Sequence, residues 1–83
     1  RPEVQYMLNE IQREYRVYIQ KVQGLVGEIR EVEVALKKSK GGLLKGLNPR
    51  ARQMELYGKM FEQTKDGIKF VNRSQEGLMS FVS

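Results

Sequence analysis

Apolar residues recur through the first half of the chain at alternating spacings of four and three. The series is Val4, Leu8, Ile11, Tyr15, Tyr18, Val22, Leu25, Ile29, Val32 and Leu36, and all ten positions are apolar or aromatic. Side chains three and four residues apart share one helix face, whereas a strand would alternate every second residue. The pattern predicts a helix over about 3–40 carrying a coiled-coil seam. Met7, Ile19, Val26 and Ala35 flank that seam at helical spacing. A two-stranded coil needs only a narrow stripe, so the extra width predicts packing against more than one helix.

A second 4-3 series runs Met54, Tyr57, Phe61, Thr64, Ile68, Val71, Gln75, Leu78, Val82. It predicts a helix over about 49–82 with Phe61, Ile68, Val71 and Leu78 facing a partner. Thr64 and Gln75 interrupt it, and a polar residue on a seam can fix register at some cost in stability. Aromatic residues on both seams are expected to fill core.

Between the arms lie the breakers, a connection over about 41–48. Lys37, Lys38 and Lys40 precede Gly41-Gly42. Cations suit the negative end of a helix dipole, and glycine supplies a left-handed cap. Asn48-Pro49 then restarts the helix, Asn as N-cap and Pro at the first helical position. Gly24 and Gly27 each cost up to ~1 kcal/mol against Ala in a helix interior. The 4-3 phase passes through both without a break, so one helix is expected there. The fold class expected is all-α: an antiparallel helical hairpin, completed by self-association or by a partner's helices into a coiled coil or four-helix bundle.

Composition narrows the ways such a hairpin can be stabilised. A chain of 83 residues is at most one domain and buries little core by itself. It has no cysteine for a disulfide and no histidine for a structural zinc. A helical partner remains. The opening at Arg1 and the apolar Phe81-Val82 near the end suggest a segment of a longer protein. No secretory leader pattern is present, and no apolar run approaches the ~18 residues of a membrane span. The working expectation for location is intracellular, cytoplasmic or nuclear.

The formal charge of +5 is concentrated in one place. Lys37, Lys38, Lys40, Lys45, Arg50 and Arg52 fall in KKSKGGLLKGLNPRAR, which has no acidic residue. The rest of the chain holds nine basic and ten acidic residues and is close to neutral. A hairpin would gather the six cations at its closed end. That end is the candidate for binding an acidic partner: nucleic acid, an anionic membrane or an acidic protein surface.

Catalysis has little to work with. Without His or Cys the commonest general base and the thiol nucleophile are gone. GGLLKG lacks the preceding strand and the Lys-Ser/Thr ending of a phosphate loop. No enzyme activity, cofactor, metal or small-molecule substrate is expected. The function expected is assembly or scaffolding through helix–helix contact, with the basic tip as the alternative functional surface. The partner would be a second copy or another helical protein.

Overall fold

The computed structural model describes residues 1–39 and 48–82. Helix α1 spans Pro2–Ser39 and helix α2 spans Pro49–Met79. They pack as a hairpin about a single long contact, and the described residues contain no strand. The rod measures 62 × 17 × 16 Å.

Local sequence explains the helix ends. Glu3 stands in the first turn of α1 and Lys37 and Lys38 in its last, each complementing the dipole. Gly24 and Gly27 have open space around them, and α1 runs through both. At the start of α2, Asn48 is extended, and its side-chain oxygen accepts from the Arg50 N–H at 3.1 Å and the Ala51 N–H at 3.3 Å. Pro49 follows, losing no hydrogen bond at that position. Helix α2 stops at Met79 rather than the expected 82. The Ser80 hydroxyl donates to the Gly77 carbonyl at 2.6 Å, and the Phe81 and Val82 N–H groups bond three residues back, tightening the last turn. Of the expected connection, 41–47 lies outside the described residues, as do Lys40 and Lys45.

The arms run antiparallel. Descending α1 ascends α2: Glu28 meets Arg52, Tyr18 meets Gln63 and Gly67, and Met7 meets Gly77. On α1, the face turned to α2 carries Val4, Ile11, Tyr18, Val22, Leu25, Ile29, Val32 and Leu36, as the first 4-3 series predicts, but Leu8 and Tyr15 stay exposed.

On α2, the face against α1 is not the second 4-3 series. It is the row Leu56, Met60, Gln63, Gly67, Phe70, Ser74 and Gly77, all buried or half-buried. This row also has 4-3 spacing, shifted by one residue, or about 100° around the helix. It is the less apolar row, but it contains the small residues. A Cβ at position 67 would lie 2.5 Å from the Tyr18 hydroxyl oxygen, so the ring rests where only glycine leaves room. The Tyr18 hydroxyl donates to the Gln63 carbonyl at 3.0 Å, satisfying the polar end of the ring in the contact.

Gly67→Ala is therefore expected to lower stability by about 1 kcal/mol through displacement of Tyr18, although Ala is the better helix former. In a Tyr18→Leu background the same change should be neutral or favourable. Thermal melts followed by circular dichroism test this; equal effects in both backgrounds would show that the ring is not the cause.

The two-helix contact is thin. Leu56 is the one fully buried side chain among the described residues.

Candidate interaction surface

The two long edges of the hairpin differ in chemistry. Along one, ion pairs cross between the helices: Arg52 to Glu28 at 3.1 Å and Arg73 to Glu14 at 4.0 Å. Arg52 also reaches Glu55 at 2.8 Å, and Lys59 reaches Glu55 at 3.6 Å, the i,i+4 spacing of a helix-supporting pair. All these groups are about half exposed, so each pair contributes at most ~1 kcal/mol. They decorate the edge more than they hold it.

The other edge is apolar. A shallow groove lined by Tyr18, Thr64, Gly67, Ile68, Val71 and Asn72 opens onto the outer face of α2. That face carries the second 4-3 series. Met54 is 68% exposed, Phe61 64%, Ile68 57% and Val71 59%, with Tyr57, Met79 and Val82 also in solvent. The Thr64 hydroxyl donates to the Met60 carbonyl at 3.0 Å, so its polar group is satisfied within its own helix. Lys65 sits over the Phe61 ring at 5.3 Å and pairs with Glu62 at 3.3 Å.

The sequence-predicted interface residues thus fall into two sets. Ile11, Tyr18, Val22, Leu25, Ile29, Val32 and Leu36 line the intrachain contact, and Leu78 is half-buried near the end of α2. Phe61, Ile68 and Val71 take no part in the hairpin core and face outward. The expectation that the seam aromatics fill core holds for Tyr18, while Tyr15, Tyr57 and Phe61 are exposed in the single chain. The row that does pack, with Leu56, Met60, Gln63, Gly67 and Phe70, was not anticipated. Its signal was available as Gly67, Ser74 and Gly77 on one helix face.

Of the six clustered cations, Lys37 and Lys38 end α1 and Arg50 and Arg52 begin α2, so these four share one end of the rod. Arg52 is held by its two carboxylate partners. Among the described residues no group of three or more acidic side chains is placed to hold a metal ion, and no helix is long and apolar enough to cross a membrane. Comparison with protein-family profiles, curated proteins and solved structures finds no match to this chain.

Proposed function

We propose that this chain is a non-catalytic assembly module that joins proteins through helix–helix packing. One observation carries the reading: the more apolar row of α2 is left in solvent while a row containing Gly, Gln and Ser makes the intrachain contact. Monomeric proteins seldom expose a large apolar patch unless it meets something. Covering it yields a coiled coil or a helical bundle, in which Phe61, Ile68, Val71 and Leu78 form the added layer. Sedimentation equilibrium from about 1 to 200 μM, with melts over the same range, tests this. Association and a melting temperature that rises with concentration are expected. A monomer with a concentration-independent melt, and no helical partner recovered, would refute it.

A second reading rests on the shared end of Lys37, Lys38, Arg50 and Arg52. There the module would meet an acidic surface by charge alone. Duplex DNA is the convenient probe. With about four phosphate contacts, the log–log salt slope should be near −4. Changing Lys37, Lys38, Lys40 and Lys45 to Gln should flatten the slope and leave assembly intact. Failure to bind DNA, RNA or anionic vesicles at low salt would remove this reading.

A further inference from the structure

The stripe on α2 has a definite length, edge and charge context, and together these select an occupant. Resting on the assembly reading above, the geometry points to a second copy of this chain, stacked on the apolar face with its closed end at the opposite end of the rod.

Area comes first. The chain exposes 6868 Å². A compact monomer of 9.7 kDa would expose only ~5,100 Å², so the elongated hairpin carries about 1,800 Å² in excess. A stable interface takes ~800 Å² from each partner. One copy laid along the rod supplies that without further components.

The edge comes next. From Met54 to Leu78 the stripe runs about 36 Å along the helix, most of the length of α2. The row bordering it on the side away from α1 is Gly58, Lys65, Asn72 and Met79. Its single charge, Lys65, already has Glu62 as partner. Two such borders can meet without burying an unpaired charge.

Charge then fixes direction. Two hairpins stacked on their apolar faces can be related by a two-fold axis along the rod or across it. The first puts both closed ends together and crowds eight cations, Lys37, Lys38, Arg50 and Arg52 of each copy, into one place. The open end is different: residues 1–16 and 70–83 hold Arg1, Arg13, Arg16 and Arg73 against Glu3, Glu10, Glu14 and Glu76. It is neutral and accepts a basic neighbour at no electrostatic cost. The axis across the rod is therefore selected, and it runs α2 antiparallel to α2 of the second copy. Centred on the stripe, this sets Phe61 level with Val71 of the second copy, Thr64 with Ile68, and Met54 with Leu78. Met54, Phe61, Val71 and Leu78 then find apolar neighbours, Ile68 meets the internally satisfied Thr64, and Tyr57 falls level with Gln75, whose amide is within reach of solvent toward the stripe's end. The interface is isologous and closes at two.

The chain has no cysteine, so single labels are easily placed. A spin label at Lys38→Cys should report about 60 Å between copies, twice the ~30 Å rise from the level of Tyr18. Thr64→Cys, close to the axis, should form an intermolecular disulfide under mild oxidation. Circular dichroism confirms that each labelled chain is folded. A dimer whose Lys38 labels lie within about 30 Å, without the Thr64 disulfide, overturns this arrangement and leaves the assembly reading standing. A chain that stays monomeric in water but takes up anionic vesicles assigns the face to lipid and overturns both.

Discussion

With Ile68 replaced by glutamate, the chain is expected to sediment as a monomer at concentrations where the unmodified chain is assembled. Ile68 lies mid-stripe and is 57% exposed in the single chain, so its loss should not disturb the α1 contact. Burying an isoleucine contributes about 1.5–3 kcal/mol, and a symmetric dimer loses two. That weakens association on the order of 10²–10⁴-fold, and the added carboxylates can only enlarge the effect. Helix content of the monomer should remain high. Lys69→Glu, one residue along on the exposed polar side, is the matched control and should associate normally. If Ile68→Glu assembles like the control, the stripe is not the interface.

Leu56→Ala should act on the other contact. Its side chain is 0% exposed, and the register places it between Arg52 and Gln63, level with Leu25 and Ile29 of α1. Truncating a buried leucine costs about 2–5 kcal/mol. A small two-helix unit has little more than that in reserve. The variant is expected to melt well below the parent or to fold only when assembled, whereas Leu56→Met should cost under about 1.5 kcal/mol. Near-parental melting of Leu56→Ala would mean that the hairpin contact matters little beside the outer face.

Helix existence, the Asn48 cap and the antiparallel return are legible in the sequence because each depends on local chemistry: 4-3 spacing, a side-chain acceptor before proline, glycines between two long repeats. Which face of α2 meets α1 is not. Hydrophobicity ranks the row of Phe61, Ile68 and Val71 above the row of Leu56, Gln63 and Gly67. Close packing ranks them the other way, since Tyr18 needs the space at Gly67 and a carbonyl at Gln63. Periodicity on one helix cannot express a requirement set by a side chain on the other. The same limit applies to the cations. Six stand out in the sequence, but only the fold shows Arg52 drawn aside by Glu28.

The hydrogen bond from Tyr18 to the Gln63 carbonyl also makes the molecule its own optical reporter. The chain has four tyrosines and no tryptophan, so with excitation beyond the phenylalanine band the emission comes from phenols alone. Tyr18 is half-buried and bonded across the two arms, whereas Tyr15 and Tyr57 stand in water beside or within the outer stripe. Closing the arms changes the surroundings of the first, and covering the outer face changes those of the others. With Tyr→Phe variants to isolate each ring, stopped-flow fluorescence can time the two events separately and say whether a chain folds before the proposed association or only upon it.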